Sequence, residues 1–286
     1  MILVTGATGS IGRHLIRGLQ ARRVPFRAMV RNEARGRQLG VDFVVADFDD
    51  PASLATAMTG VDRLFLNGAG AVPSPGPQPM IRQQLAAVDA AVTAGVTAIV
   101  KISVWGAKSG GRLAEGAHWE IEQYLKAAPV AWSLLQPSGY MQNFVTGQAA
   151  ALDAGDVIGL AGDWRVSYID CYDIAACAAE LLTRPDPPNG THVLTGPEAL
   201  THAQIAAKLS AAMHRPVRSI ELAAEQMLTR LTAQGLPDEF ATDVVALWGD
   251  VASGSLSTVT ATVRELTGAD PRTFDEFLAS ADAPRT

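Results

Sequence analysis

Apolar and polar positions follow two rhythms along the first half of the chain. Ile2 to Thr5 is a short apolar, β-prone run that ends in glycine, and from Ile11 to Leu19 the positions Ile11, Leu15, Ile16 and Leu19 recur at helical spacing. Further strands are expected at Phe26–Val30, Phe43–Ala46, Leu64–Leu66, Ala98–Ile102 and Trp132–Leu135. Between them lie helical patterns at Ser53–Met58, which Asp50 and Pro51 introduce, at Met80–Ala94 and at Ala117–Ala127. Strands that alternate with helices of this length form parallel β-α-β units with right-handed crossovers. The expected fold is therefore α/β, a Rossmann-type doubly wound parallel sheet with helices on both faces. Pro73, Pro75, Pro77 and Pro79 interrupt the pattern and predict a loop leaving the carboxyl end of the fourth strand.

After about residue 145 the alternation breaks down. Helices are expected at Asp173–Leu182, Thr201–Met213 (N-cap Thr201), Ala223–Ala233, Pro237–Trp248, Thr258–Leu266 and Thr273–Ser280. The chain is thus expected to divide into a sheet domain, 1–145, and a smaller, mainly helical region, 146–286, interleaved with it. No fixed-period repeat is visible.

Composition narrows the possibilities. A chain of 286 residues that is 48% hydrophobic and 18% charged buries a core without staples. Its net charge of −6 argues against a broad nucleic-acid-binding face. Cys171 and Cys177 stand six apart with no histidine nearby, so neither a disulfide framework nor a metal site is expected, and both read as small buried side chains. No apolar run reaches the ~20 residues of a membrane span, and no secretory leader is legible. A soluble cytoplasmic protein is expected.

The strongest chemical signal is V-T-G-A-T-G-S-I-G, which closes the first strand and opens the first helix. Gly6 allows the tight turn, Gly9 lets the backbone approach a pyrophosphate, and Gly12 lets helix and strand pack closely. Thr8, Ser10 and Ile11 share this loop and, with the free N–H groups of the helix, are expected to hold a dinucleotide. The second strand ends in V-R-N. Where an acidic residue would bind the ribose 2′-OH of NAD, this chain has Arg31, with Arg13 as a helper, so NADP(H) is the expected cofactor. Asp47 and Phe48 are placed to border the adenine. Asn67 and Gly68 end the fourth strand and Pro137 the sixth, and these also belong to the cofactor set.

These residues carry a family resemblance. With V-V-A-D-F-D-D-P-A-S-L, I-V-K-I-S-V-W-G-A, H-W-E-I-E, L-L-Q-P-S-G-Y-M-Q-N-F and V-L-T-G-P-E-A-L-T, the chain resembles the atypical short-chain dehydrogenases/reductases of the NmrA-like group. That group includes NADPH-dependent quinone reductases, triphenylmethane dye reductases and NADP-sensing regulators. The resemblance implies hydride transfer from NADPH to a quinone or other conjugated aromatic or polyketide-like compound. Two alternatives stay open: a non-catalytic NADP(H) sensor, and an epimerase or isomerase.

The usual Tyr-x-x-x-Lys pair is absent, because no lysine follows a tyrosine by four. Instead, His118 and Glu122 share one helical face. In the resembled reductases a histidine stands near the ordinary tyrosine position, which makes His118 a candidate proton donor with Glu122 holding its tautomer. Ser103, at the carboxyl edge of the fifth strand, and Tyr140 complete the candidate catalytic set. Lys101, two before Ser103 and on the same strand face, is expected either to reach the cofactor ribose or to be a structural lysine. Trp105, Tyr140, Met141, Asn143, Phe144 and Trp164 are the expected walls of a small-molecule substrate pocket. Neither a nucleic-acid nor a membrane partner is expected, and monomer and homodimer both remain open.

Overall fold

The computed structural model describes residues 1–74, 76–146, 152–153, 155–162, 164–187 and 189–280. In chain order the elements are β1 (Ile2–Val4), α1 (Ser10–Ala21), β2 (Phe26–Val30), α2 (Glu33–Leu39), β3 (Phe43–Val45), α3 (Pro51–Ala57), β4 (Arg63–Leu66), α4 (Pro79–Thr93), β5 (Ala98–Ile102), α5 (Ala114–Ala127) and β6 (Ala131–Pro137). Then follow α6 (Asn143–Thr146), β7 (Leu152–Asp153), β8 (Asp156–Leu160), α7 (Cys171–Thr183), β9 (Gly190–Leu194), α8 (His202–Met213) and β10 (Ser219–Leu222). The chain closes with α9 (Ala224–Ala233), α10 (Asp238–Ala252), α11 (Thr262–Thr267) and α12 (Phe274–Ala279). Two compact units result, one of Met1–Gln136 with Ile174–Val193, the other of Pro137–Asp173 with Leu194–Thr286.

The first unit is built on a seven-stranded sheet of order β3-β2-β1-β4-β5-β6-β9. Every pairing from β3 across to β6 is parallel, so these strands end at the same edge. The order reverses direction between β1 and β4, and at that switch point the connections leave on opposite faces and open a crevice at the carboxyl ends. The fold is the Rossmann-type sheet that the sequence predicts. The strands read as continuous apolar runs because both faces are covered: Leu3, Leu64, Leu66, Ile99 and Leu134 join Leu54, Met58 and Val88 in one core cluster. Helix α1 turns Ile11, Leu15, Ile16 and Leu19 inward, as their spacing requires.

Two elements of this unit are absent from the hydrophobic pattern. Helix α2 has a polar sequence, E-A-R-G-R-Q-L, and is set instead by its ends: Asn32 accepts from Ala34 N and Arg35 N, and Gly40 closes the helix at φ 66°. Strand β9 reads G-T-H-V-L, with polar residues and glycine over its first three positions, so it has no apolar run of its own. The proline-rich connection after β4 ends earlier than the pattern suggests, because Pro79 already occupies the first helical turn of α4, where its missing N–H costs nothing. Pro75 lies outside the described residues.

The second unit holds a three-stranded sheet, β10-β8-β7, with helices against it. Thr201 caps α8 and Thr273 caps α12, each in a reciprocal capping box with Gln204 or Glu276. One of its core clusters is built around Phe144, Trp164, Tyr168, Phe274 and Phe277. Phe144 meets the Tyr168 ring edge-on at 4.8 Å and the Phe274 ring at 5.8 Å. The last-but-one helix begins at Thr262 rather than at the expected Thr258. The buried Asp170 carboxylate pairs with the partly exposed Arg272 guanidinium at 3.1 Å, and Gln142 Nε2 donates to the same carboxylate at 2.7 Å. Cys171 and Cys177 are both buried and unbridged. No helix among the described residues is long and apolar enough to cross a membrane.

Candidate active site

The glycine loop forms between β1 and α1. Thr5 leaves the strand with its hydroxyl donating to Phe65 O and Asn67 O, each at 2.9 Å, and accepting from Asn67 N at 2.8 Å. These bonds clamp the ends of β1 and β4 together at the switch point. Gly6 sits at φ 61°, and a Cβ there would stand 2.9 Å from Asn67 Nδ2. Gly12 is more constrained, since its Cβ would lie 2.3 Å from Gly6 O. Helix α1 starts after Gly9 with no side-chain cap and no acidic residue in its first turn. Its free N–H groups and positive dipole end therefore face the crevice unneutralised, with Thr8, Ser10 and Ile11 around them. Arg13 Nε donates to Thr8 O at 2.9 Å, which braces the loop. These residues fit a dinucleotide pyrophosphate.

Beside the loop, at the end of β2, is a cleft of about 580 Å³ lined by Thr8, Val30, Arg31, Asn32, Ala34, Arg35 and Gln38. It carries two guanidinium groups and no carboxylate. Arg31 and Arg35 are exposed, and neither forms an ion pair among the described residues. Arg35 was not singled out in the sequence, because α2, which carries it, has no apolar stripe. The signal that would have found it is the Asn32 cap followed by two arginines on the first turns. Asp47 and Phe48 follow β3 half-buried, with Asp47 N donating to Ser53 Oγ at 3.0 Å. Asn67 and Gly68 leave β4 half-buried, on the other side of β1.

The carboxyl end of β5 faces α5. Lys101 has no exposed surface, and its Nζ lies 2.7 Å from His118 Nδ1 and donates to Ile102 O at 3.0 Å. The expected ribose contact is corrected: a side chain sealed in this way and already committed to His118 is not presented to a ligand. The tautomer assignment is corrected too, because the partner of His118 is Lys101 and not Glu122. Glu122 instead accepts from Ser103 Oγ at 2.5 Å and Gln136 Nε2 at 2.8 Å, with Lys126 Nζ at 3.5 Å. Ser103 is buried, and its backbone N–H donates to Leu135 O at 2.7 Å. Burial lowers the Lys101 pKa to about 7, against the support of the Glu122 charge. Burial, then the Lys101 charge, hold His118 well below its ordinary value, so the imidazole is neutral. Trp105 is half-buried in the turn after β5.

The remaining expected residues belong to the second unit or its border. Pro137 ends β6 and is buried. Tyr140 is half-buried, and burial raises its phenol pKa far above the ordinary value, so it is neutral. Asn143 is half-buried at the start of α6. Met141 and Phe144 are not pocket walls: they are 0% and 2% exposed and pack into the aromatic core. The apolar pattern that suggested a pocket reflects core packing there. Trp164 donates from Nε1 to Leu160 O at 2.8 Å and lines a separate cleft of about 310 Å³ with His202, Thr201 and Glu221.

A parallel sheet reversing at β1 and β4, a glycine cradle at the switch point and an arginine-lined cleft beside it define a dinucleotide-binding protein of the Rossmann class. The NmrA-like family model matches residues 1–278, and the chain belongs to that family. It is 36% identical over 282 residues to the NAD(P)H azoreductase of Xenophilus azovorans, covering 97% of this chain and 96% of that one. Among solved structures, the NADPH-dependent quinone oxidoreductase of Escherichia coli in complex with NADPH has a TM-score of 0.82 at 29% identity, over 98% of this chain and 99% of that one. The Citrobacter sp. triphenylmethane reductase complexed with NADP(H) has a TM-score of 0.78 at 26% identity, over 96% and 97%.

Proposed function

We propose that the protein uses NADPH to reduce a flat conjugated acceptor of the azo or quinone type, with His118 as the proton donor. At the level of class it is an NAD(P)H-dependent oxidoreductase, a short-chain type without the Tyr-x-x-x-Lys pair. The relatives named above act on azo compounds, quinones and triphenylmethane dyes, which share an extended π system. When bound, the reduced nicotinamide supplies hydride. The Gly6–Gly12 loop and the N-terminus of α1 would hold the pyrophosphate, Arg31 and Arg35 the 2′-phosphate, and Asp47 and Phe48 the adenine edge. Asn67 and Gly68 would flank the sugar nearer the nicotinamide.

The observation that carries the reading is His118 itself. Its Nδ1 is engaged by Lys101, while its Nε2 makes no hydrogen bond within the described protein, and 7% of the residue is exposed. An imidazole whose Nδ1 is held by a lysine nitrogen and whose Nε2–H is free suits proton donation to an anion formed by hydride uptake, provided that Nδ1 gains a proton as Nε2 loses one. Acceptors of this kind delocalise negative charge on reduction, so a single modest acid suffices where an isolated ketone needs a Tyr-Lys pair. The test is NADPH oxidation by the wild type and His118→Ala against azo dyes and quinones. His118→Ala should lower kcat by about 10²-fold or more with little change in NADPH affinity. Wild-type turnover in the variant removes His118 from the chemistry.

A further inference from the structure

Strand β5 and helix α5 meet through two parallel rungs. Lys101 and Ser103, two apart, share a face of the strand, and His118 and Glu122, four apart, share a face of the helix. One rung is Lys101 Nζ to His118 Nδ1 at 2.7 Å, the other Ser103 Oγ to Glu122 Oε1 at 2.5 Å. Gln136 from β6 and Lys126 from α5 complete the shell of Glu122. Among the described residues, Gln136 and Lys126 are the further side chains hydrogen-bonded or ion-paired to these four.

Packing does not account for Lys101. It is fully buried, and no carboxylate lies within ion-pair distance of it among the described residues. A buried ion without a paired carboxylate weakens a fold, and an apolar chain of similar length serves a strand core better. The two contacts of Lys101 do account for it. Ile102 O can only accept, so it takes one N–H of the ammonium. The ring nitrogen of His118 takes another. With Nδ1 accepting, the imidazole proton resides on Nε2, the nitrogen with no partner in the protein.

Building on the reductase reading above, we propose that Lys101 is a positioning residue that holds His118 as its Nε2–H tautomer and replaces the proton His118 gives up. For an azo acceptor, one nitrogen takes hydride and the other takes the Nε2 proton, so the N=N bond becomes HN–NH. As the Nε2–H bond breaks, Nδ1 takes a proton from the Lys101 ammonium, which is left as an amine; because Lys101 is sealed and His118 keeps a little exposed surface, Nε2 then takes a proton from solvent and the Nδ1 proton returns to Lys101 before the next cycle. A triarylmethane cation differs: hydride adds to its central carbon and gives a neutral product with no proton taken up. The relay is therefore required for the first acceptor and not for the second. Burial keeps Lys101 near a pKa of about 7, so the reserve proton is exchangeable around neutrality.

The test is Lys101→Met in the full chain. Thermal stability should equal or exceed that of the wild type, and NADPH affinity should be unchanged. The ratio of kcat on an azo dye to kcat on a triarylmethane cation should fall by about tenfold or more. In the wild type this ratio should drop as pH rises through about 7, and in the variant it should be flat. Adding Lys101→Met to His118→Ala should cost nothing further on the azo dye. Nitrogen NMR of His118 at about pH 6 should show a protonated Nε2 in the wild type and a mixed tautomer in Lys101→Met. If Lys101→Met fails to fold, Glu122→Gln replaces it; loss of that charge should move the pH-dependent drop to lower pH. An unchanged ratio and pH profile overturn the role of Lys101 and leave the reductase reading intact. Turnover of the cation alone overturns the proton-donor role of His118, and that of Lys101 with it. No turnover of either acceptor with NADPH bound overturns both readings.

Discussion

Arg31 and Arg35 should set the preference for NADPH over NADH. Both are exposed guanidiniums in the cleft at the end of β2, where the lining carries no acidic side chain. A unit charge pair 4 Å apart near a protein surface interacts by about 4 kcal/mol before ordering and salt are counted. Exposure reduces this, and a charge-assisted hydrogen bond is worth about 1.5–3 kcal/mol net, with the lower end appropriate here. Because ~1.4 kcal/mol is tenfold in affinity, each alanine substitution should weaken NADPH about tenfold. NADH, which lacks the 2′-phosphate, should bind all variants alike. Calorimetric titration of both nucleotides against the wild type, Arg31→Ala, Arg35→Ala and the double variant measures this directly. Raising the ionic strength should weaken NADPH more than NADH in the wild type only. The reasoning is refuted if the NADPH-to-NADH ratio is the same in the wild type and the double variant.

Two further outcomes follow from other parts of the molecule. Gly12→Ala places a methyl 2.3 Å from Gly6 O and 2.8 Å from Ala7 Cα, so backbone rather than a side-chain end must shift. It should cost about 1–3 kcal/mol, seen as a Tm lower by roughly 5 °C, and should weaken both nucleotides alike by displacing the start of α1. Burial is the main cause that raises the Asp173 carboxyl to about 7 from 3.8, opposed chiefly by its hydrogen bond from Arg272 N. The folded chain then keeps a proton that the unfolded chain loses above about pH 4, so this residue's contribution to stability is present at low pH and is lost as pH rises through about 7. Asp173→Asn should flatten the fall in Tm between about pH 4 and 7, and an identical fall in both proteins would contradict this.

The parallel sheet and its glycine cradle were legible because each rests on local chemistry. Residues 2–31 alone contain an apolar strand, three spaced glycines, an amphipathic helix and the strand that Arg31 follows. Long-range pairing was not legible. The contact of Lys101 with His118 spans 17 positions, and that of Ser103 with Glu122 spans 19. Sequence spacing gave each pair's shared face but not the register in which strand and helix meet, and so Glu122 was matched to the wrong neighbour. Helix α2 was missed because caps, not an apolar stripe, define it. Phe144 and Met141 misled for the opposite reason: an aromatic or a thioether after a strand end reads alike whether it lines a pocket or fills a core.

The most direct test of function is NADPH consumption by the purified protein with an azo dye and a quinone, followed at 340 nm, with nucleotide binding recorded in the same sample. Turnover of a conjugated acceptor that depends on NADPH and collapses in His118→Ala is the expected result. Tight NADPH binding with no turnover of any such acceptor would contradict the reductase reading and point to a protein that binds the nucleotide without spending it.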